Sequence, residues 1–416
     1  MTATKLIQCL ACGEASPELI LDLGQQPLAN NFLEHSTDPE EAYPLAVRHC
    51  QHCHHLQLTH AVDPAIIYRN YLYVSGTSQT YVDYMAWYAN WALEQYKTNH
   101  VLNRPARRVL DIGCNDGSQL DAFKAANPDL TTYGVDPAEN LHPLSVAKGH
   151  NVTLGFWDSN TSQRLVLDNN NGAFDIVTSQ NAFSHIPDPL AYLQLVRQIM
   201  NDDALMFIST SQADMVPNGE FDTIYHEHIS FYNAASMSAL ARRANLYLVD
   251  TIKTSIHGTS YIFVLSRMDR RPFNARNIIS LEAAQGLQSD RTYRDWSAGV
   301  NLMLKEIPRH IELARSQGFS IVGYGAAAKG MTLLNATAID MDAIIDDNPL
   351  KQGRFSPGRH IPVVGPEYID TIPADQPVLF VPLAWNVFAE IKKRIQARRN
   401  SPLDQFMTYF PEVKIK

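Results

Sequence analysis

The chain has 416 residues and a net charge of −9, with 45% hydrophobic and 19% charged residues. This length predicts about two to four domains, and the composition is that of an ordinary globular protein. The absence of a basic balance argues against nucleic acid as a partner. No apolar run reaches the roughly 18–20 residues that cross a bilayer, and the N-terminal segment lacks the apolar stretch of a signal peptide, so we expect a cytoplasmic protein without membrane contact.

The cysteines give the first strong signal, because four of the five lie in two C-x-x-C pairs near the N-terminus. An odd cysteine count argues against a disulfide scaffold. Two such pairs can present four thiolates to a tetrahedral zinc ion, and metal would replace a core that residues 1–70 lack. The predicted structural zinc ligands are Cys9, Cys12, Cys50 and Cys53. Histidines crowd the second pair; one could replace a cysteine, but we expect them at the surface or around the ligands.

The middle of the chain shows a regular alternation of strands and helices. Residues 71–100 are rich in aromatic side chains and predict a helix from about Thr80, suited to a core or to a lid over a flat ligand. Beyond it, strands separated by helices predict a doubly wound parallel sheet. The predicted strands are 107–113, 131–136, 151–156, 174–180 and 204–210, and the predicted helices are 118–126 and 189–200.

The strand–helix rhythm restarts near the C-terminus. After a helical stretch over 283–316, the segment FSIVGYGAAAKGMTLLNA reads as strand, glycine-rich turn and helix, and two more strands and a closing helix follow. This pattern predicts a second Rossmann-like α/β unit. We therefore divide the chain into a zinc-binding module (1–70), a central domain with the doubly wound sheet (71–270) and a C-terminal Rossmann-like domain (271–416).

The loop VLDIGCNDGSQL has the features of an S-adenosylmethionine (SAM) site. An acidic residue ends the strand, and two glycines at D-x-G-x-x-x-G spacing let the backbone turn sharply beside a ligand and a helix N-terminus. Asp136 ends the next strand, where a carboxylate can accept hydrogen bonds from both ribose hydroxyls. The loop lacks the G-x-G-x-x-G of a nicotinamide site, so we predict that residues 71–270 form a class I methyltransferase domain. The predicted cofactor residues are Asp111, Gly113, Asn115, Gly117, Asp136 and Asn181.

Two histidine-bearing segments follow strand ends, where α/β proteins build their sites. Methyl transfer to carbon needs a base that removes a proton next to a ketone, and hydrogen-bond donors near the enolate oxygen. His228 and His185 are candidate bases, Tyr225 can donate or relay a proton, and Glu227 can fix an imidazole tautomer or hold a sugar hydroxyl. Structural packing and a metal cluster on H-E-H, which lacks an obvious third ligand, remain alternatives.

The glycine- and alanine-rich turn 323–330 in the C-terminal unit exposes backbone N–H groups, and Lys329 adds a positive charge. Such a turn suits a diphosphate, although it can equally be a packing device. Polar residues after the following strands could hold a ribose or a base edge. These further substrate-binding candidates are Asp346, Asp347, Asn348, Lys351 and Asn386.

Together these segments resemble the sugar-nucleotide C-methyltransferases, notably those that methylate C3 of 4-keto-deoxysugars. The resemblance spans nearly the whole chain and is carried by the C-x-x-C pairs with LDLGQQPLANNFL, by LDIGCNDGS with VDPAEN, by YHEHISFYN, and by YGAAAKGMTLLN with DDNPLKQGRFSPGRHIPVV. It implies an active site between the domains, with the C-terminal unit holding the sugar nucleotide instead of a nicotinamide. The family's active-site residues fall on His228, Tyr225, Glu227, His185 and Tyr73, with Tyr71 as the alternative tyrosine.

Two segments depart from the family's pattern. Residues 209–212 read S-T-S-Q where the family tends towards E-V-P, and residues 257–262 read H-G-T-S-Y-I where members often have H-G-G-S-L-R. We therefore expect SAM-dependent methylation of a carbon, C3, of an NDP-4-keto-6-deoxyhexose by a monomer or weak oligomer. The alternatives are O- or N-methylation of a sugar nucleotide and a zinc protein that only senses SAM.

Overall fold

The computed structural model describes residues 3–15, 17–69, 71, 73–99, 104–169, 172–256, 258–270 and 273–416. The elements of its N-terminal unit are β1 (Ala3–Lys5), β2 (Glu18–Pro27), β3 (Ala42–His49), β4 (Leu56–Leu58), β5 (His60–Val62) and α1 (Pro64–Tyr68). The strands pair antiparallel: β3 lies between β2 and β4, and β1 pairs with β5. The second C-x-x-C pair occupies the turn between β3 and β4.

The central unit is an α/β layer built on a seven-stranded sheet. Its elements are α2 (Gln79–Asn99), β6 (Arg108–Ile112), α3 (Ser118–Ala126), β7 (Thr131–Asp136), α4 (His142–Ala147), β8 (Asn151–Leu154), α5 (Ser159–Asp168), β9 (Phe174–Gln180), α6 (Pro189–Ile199), β10 (Met200–Thr210), β11 (Ser230–Phe231), α7 (Ala234–Arg243), β12 (Tyr247–Thr254) and β13 (Ser260–Ser266). The strand order is β12-β13-β10-β9-β6-β7-β8. All neighbours are parallel except β13, which is antiparallel to β10 and β12.

The sheet is doubly wound, as the sequence predicts, with helices on both of its faces. Adjacent residues of one strand point to opposite faces and therefore pack against different helices. Val109 packs with Tyr88 of α2, whereas Leu110 packs with Leu193 of α6. The reversed strand β13 departs from an all-parallel sheet. It follows β12 after a connection of only five residues, and so short a connection can only produce an antiparallel pair.

The C-terminal unit is a second Rossmann-like layer. Its elements are α8 (Phe273–Ala284), α9 (Asp290–Ser316), β14 (Ser320–Tyr324), α10 (Ala328–Thr337), β15 (Ala343–Ile345), β16 (Val363–Val364), α11 (Tyr368–Thr371), β17 (Val378–Pro382), α12 (Phe388–Arg398), β18 (Gln405–Thr408) and β19 (Lys414–Ile415). The order β16-β15-β14-β17-β18-β19 is parallel as far as β18, and β19 is antiparallel.

The units are joined by a shared core and a shared sheet. Leu21 and Val47 of the N-terminal sheet pack in one hydrophobic cluster with Trp296 of α9 and Met331 of α10. The central strand β11 pairs with β4, so it extends the N-terminal sheet to four strands. No helix among the described residues is both long and apolar enough to span a membrane.

Candidate active site and zinc cluster

The four cysteines of the two C-x-x-C pairs converge into one cluster. The sulfur atoms of Cys9 and Cys53 lie 3.6 Å apart, and those of Cys12 and Cys50 lie 3.5 Å apart. All four lie within 4.8 Å of one another. Tetrahedral zinc with Zn–S bonds of about 2.3 Å requires sulfur–sulfur distances of roughly 3.8 Å. The residues therefore fit a zinc ion held by four cysteine thiolates.

Groups around the cluster tie it to the central unit. Arg243 of α7 donates a hydrogen bond of 2.9 Å to the carbonyl of Ala11, between the first two cysteines. His55 is buried, its Nε2 lies 3.3 Å from Ser230 Oγ, and its ring lies 4.7 Å from that of Tyr232. This histidine therefore supports the cluster from outside, as the sequence predicts for the histidines of the second pair.

A cavity of about 1000 Å³ opens at the carboxyl ends of the central strands. Its wall draws on all three units. Residues of α1 with Tyr71, Tyr73 and Ser75 form one side, the loops after β6, β7, β8 and β9 lie below, and residues 327–329 with Ala384 and Asn386 lie opposite. Such a crevice at the carboxyl ends of parallel strands is where α/β folds place their ligands.

Four of the six predicted cofactor residues line this cavity: Gly113, Asn115, Asp136 and Asn181. Gly113 has a φ of 85°, and a Cβ added there would lie 2.6 Å from the Cβ of Ala182, so the turn requires glycine. Asp136 accepts the backbone N–H groups of Asn115 and Ala138, both at 2.8 Å. Its carboxylate therefore supports two neighbouring turns while it faces the cavity.

The other two predicted cofactor residues, Asp111 and Gly117, lie outside the cavity lining. Asp111 is buried behind the loop, where burial and then the charge of Asp136 raise its pKa to about 8. Gly117 is the N-cap of α3 with a φ of 81°, and a Cβ added there would lie 3.1 Å from the ring of His150 and 3.2 Å from the Cβ of Ser145. Both residues shape the loop without reaching the space that it encloses.

An aromatic wall after β8 was not predicted. Phe156 and Trp157 line the cavity beside Asp136, and the Trp157 indole N–H donates to the carbonyl of Tyr192 at 3.3 Å. The sequence signal that could have indicated this wall is GFWDS at residues 155–159, directly after β8. A glycine turn, a carboxylate and aromatic walls together fit the methionyl, ribose and adenine parts of SAM.

The segment that carries Tyr73 is fastened over the glycine loop. The Asn115 amide donates to the carbonyl of Tyr73 at 3.0 Å and accepts the N–H of Ser75 at 2.9 Å. The Gly76 N–H donates to Asp116 at 3.3 Å. Tyr73 and Tyr71 both line the cavity, so the structure places both candidate tyrosines at the site.

His228 is the centre of the polar cluster in the cavity. Its Nδ1 lies 2.7 Å from the carbonyl oxygen of Thr223, and its Nε2 lies 2.9 Å from the hydroxyl of Tyr225. A carbonyl oxygen only accepts, so Nδ1 carries the proton and Nε2 accepts the O–H of Tyr225. Burial raises the pKa of Tyr225 well above its usual value, which keeps this hydroxyl protonated.

His185 lies next to this pair in a stack of rings. Its centroid lies 5.3 Å from that of His228, with 25° between the planes, and 5.4 Å from that of Tyr68, with 8°. Burial lowers the pKa of His185 to about 4, so it is neutral at neutral pH. Tyr68, at the end of α1, is a cavity residue that no sequence motif indicated.

Glu227 turns away from both imidazoles. Its Oε1 accepts the side-chain amide of Asn30 at 2.8 Å, and burial raises its pKa. The Thr223 carbonyl, and not Glu227, contacts Nδ1 of His228. His226 points elsewhere, with Nε2 at 3.3 Å from the carbonyl of Tyr43. The side chains of the H-E-H segment therefore have separate partners and do not converge on a metal ion.

In the C-terminal unit, Lys329 and Asn386 line the cavity, whereas Asp346 and Lys351 do not. The Lys329 ammonium lies 4.8 Å from the ring centre of Trp385, whose indole donates to Asp222 at 2.7 Å. Asp346 accepts the N–H of Ala326 at 2.6 Å, and Lys351 donates to the carbonyl of the same residue at 2.7 Å. In this structure the Asp346 carboxylate and the Lys351 ammonium therefore both hydrogen-bond to the backbone of the glycine-rich turn.

Both segments that depart from the family's pattern lie near the site. Ser211 lines the cavity, and the side chain of Gln212 contacts the His228 ring. His257 lies outside the described residues. Thr259 accepts the N–H of Ala213 through its carbonyl at 3.2 Å, and so the second segment supports the first.

Known proteins match this chain along nearly all of its length. Three domain families match the chain one after another: "Putative zinc binding domain" over residues 9–68, "Methyltransferase domain" over 90–251, and "C-methyltransferase C-terminal domain" over 255–411. The C-methyltransferase NovU of Streptomyces niveus is 28% identical over 394 residues, which cover 92% of this chain and 91% of that protein. The chain is an SAM-dependent C-methyltransferase. This methyltransferase carries its zinc-binding domain at the N-terminus.

Other similarities cover less of the methyltransferase. A ubiquinone biosynthesis O-methyltransferase of Haemophilus ducreyi is 32% identical over 110 residues, covering 25% of this chain and 45% of that protein. The solved structure of the plantazolicin methyltransferase BpumL with SAH is 12% identical, with a TM-score of 0.35, and covers 44% of this chain and 84% of that one.

Proposed function

We propose that this enzyme transfers a methyl group from SAM to C3 of a nucleotide-linked 4-keto-6-deoxyhexose. The observation that carries the proposal is the cavity that the three units enclose together. The glycine loop with Asp136, the Tyr225–His228 pair, and Lys329 with Asn386 all line it. One bound molecule could therefore reach from the nucleotide-binding side to the base while the methyl donor lies beside it.

Methylation of carbon begins with the loss of a proton. Nε2 of His228 takes the C3 proton, directly or through the Tyr225 hydroxyl that it already contacts. The electron pair of the C3–H bond then forms the enolate, whose oxygen needs a hydrogen-bond donor such as Tyr225. SAM supplies an electrophilic methyl on its sulfonium: the C3–CH3 bond forms as the S–CH3 bond breaks, which leaves S-adenosylhomocysteine.

The C-terminal unit supplies contacts for the nucleotide. Lys329 lies in the first turn of α10, where free backbone N–H groups and a positive side chain favour a diphosphate. The alanines before it leave room for close approach of the backbone. In this proposal residues 271–416 bind the sugar nucleotide, residues 71–270 bind SAM, and residues 1–70 carry zinc and close the site with α1.

The test is mass spectrometry of the products formed from SAM and a panel of NDP-4-keto-6-deoxyhexoses. We expect one added methyl on carbon, resistant to mild hydrolysis, and its retention after reduction of the ketone. The matched control is the same sugar nucleotide with a hydroxyl at C4, which lacks the acidified C–H and should not react. Methylation of this control, or a methyl on oxygen or nitrogen, would replace the proposal with O- or N-methylation.

A further inference from the structure

We propose that Gln212 is a positioning residue for His228, which it holds together with the Thr223 carbonyl as the Nδ1–H tautomer. Gln212 is buried beside the imidazole, and its terminal amide lies 3.0 Å from Nδ1. Its importance for turnover rests on the proposed role of His228 as the base. The tautomer itself can be measured without any substrate.

The contacts around Nδ1 require an acceptor from Gln212. The Thr223 carbonyl at 2.7 Å already assigns the proton to Nδ1. If the NH2 group of Gln212 faced Nδ1, two hydrogen-bond donors would point at each other. Rotation of the amide by 180°, which leaves its shape unchanged, presents Oε1 to Nδ1–H instead. The Gln212 oxygen would then accept from Nδ1–H, and Ser211 Oγ, 3.2 Å from the same amide position, can donate to it. The NH2 group moves to the buried position where the oxygen has no partner, so the rotation removes the opposed donors at Nδ1 and leaves one amide position unpartnered in either orientation.

The other groups that face His228 fill different positions. The Tyr225 hydroxyl is the hydrogen-bond partner of Nε2. The ring centroids of His185 and Phe231 lie 5.3 and 6.4 Å from that of His228. Glu227, the nearest acidic residue in sequence, is held by Asn30. Among the described residues, the two groups that flank Nδ1 are a peptide carbonyl and a side-chain amide, both neutral, whereas a carboxylate orients many catalytic histidines.

This arrangement has a chemical consequence for Nε2. Two acceptors at Nδ1 keep the lone pair on Nε2, which faces Tyr225 and the cavity. They also stabilise the imidazolium that forms when Nε2 takes a proton, but less than a carboxylate would. The ring can therefore accept a proton from the substrate and release it after methyl transfer. Gln212 lies in the segment S-T-S-Q, where this chain departs from the pattern of the family that it resembles.

The experiment is long-range 1H–15N NMR of the full-length zinc-loaded protein labelled with 15N-histidine, without substrate. The His228 signals are identified by their loss in His228→Asn. We expect the Nδ1–H pattern in the wild type. Gln212→Leu should give a mixture of tautomers, and Gln212→Glu should keep Nδ1–H and raise the titration midpoint of the ring by about one pH unit. Gln25→Glu adds the same charge at an exposed position of strand β2 and should leave the midpoint unchanged.

An Nε2–H pattern in the wild type would overturn the proposal, as would variants of Gln212 that move neither the tautomer nor the midpoint. Gln212→Glu keeps the size of the side chain and so tests the contact even if Gln212→Leu does not fold. If no keto-sugar is methylated, the proposed function fails, whereas the tautomer measured here stands by itself.

Discussion

His228 is held by an atom that side-chain mutation cannot remove, because the backbone carbonyl of Thr223 lies 2.7 Å from Nδ1. Its other nitrogen faces a tyrosine whose pKa is raised by burial. The neighbouring His185 is neutral at neutral pH, since burial lowers its pKa to about 4. The cluster therefore brings the His228 imidazole, a protonated phenol and a neutral second imidazole into one place.

We expect His228→Asn to lower kcat by about 10²–10⁴, the usual range for loss of a general base. Binding of SAM, measured by calorimetry, should not change, because His228 is not part of the glycine loop. The sharper measurement is exchange of the C3 hydrogen of the keto-sugar in deuterated water with S-adenosylhomocysteine bound. His35→Asn, at an exposed position, is the matched control. Exchange at the wild-type rate in His228→Asn would move the base to His185 or Tyr225.

We expect Lys329→Ala to raise the KM for the sugar nucleotide about 10-fold or more, because an ammonium that meets a phosphate contributes roughly 1.5–3 kcal/mol. Its affinity for SAM should stay the same. Steady-state kinetics and calorimetry measure the two effects separately, and Lys305→Ala on the exposed side of α9 is the control. If Lys329→Ala instead weakens SAM and spares the sugar nucleotide, the two Rossmann-like units have the opposite roles.

At the level of elements, β11 connects the zinc cluster to the segment that carries Tyr225 and His228. Ser230 and Phe231 follow the Y-H-E-H residues closely and pair with Gln57 and Leu56 of β4. The strand β4 begins three residues after Cys53. A zinc ion that fixes the cysteine turn therefore also fixes the strand that positions His228.

We expect purified protein to contain about one zinc per chain, measured by elemental analysis, and Cys50→Ser to lose it. Loss of the metal should lower the unfolding midpoint by roughly 5–10 °C, because zinc binding to such a site is part of the folding free energy. Activity should fall with zinc content, since β11 is no longer anchored. Cys114→Ser, at a buried cysteine outside the cluster, should retain the metal. A metal-free protein of unchanged stability would contradict this account.

The elements themselves were largely readable from the sequence. The strands at 131–136 and 174–180 and the helix at 118–126 have the predicted bounds. Apolar runs between turn residues determine such elements locally. The reversal of β13 was missed because strand direction depends on pairing, which periodicity along the chain does not contain. The predicted helical stretch 283–316 contains α9 but only the last two residues of α8, with a break at 285–289, so most of α8 was not predicted.

On the scale of the whole molecule, buried histidines link stability to pH. Burial lowers the folded-state pKa of His226 to about 4. Since the unfolded value is near 6.5, the unfolded chain binds the proton first as the pH falls. The stabilisation is complete above about pH 6.5 and is lost progressively towards about pH 4. His185, with a pKa also lowered to about 4, acts in the same direction.

We therefore expect the free energy of unfolding to fall between pH 7 and pH 5, with about 2 kcal/mol of the loss due to His226. Denaturant titrations at both pH values measure this loss. His226→Phe keeps the ring in its contact with Tyr43 and should reduce the loss by that amount. His35→Phe, an exposed position, should leave it unchanged. Equal pH dependence in all three proteins would contradict the assignment.

The sequence by itself determined the four cysteines of the zinc-binding domain and the two Rossmann-like layers, and it indicated His228, Tyr225 and Asp136 as candidate site residues, because spacing and strand-end position are local properties. Only the tertiary structure decided that Gln212 and Thr223 hold the imidazole, that Asn30 holds Glu227, and that Tyr68 stacks on His185. These contacts join residues from different elements or depend on the exact turn of the backbone. They arise from packing three units around one cavity, and no pattern along the chain specifies which distant side chains that packing brings together.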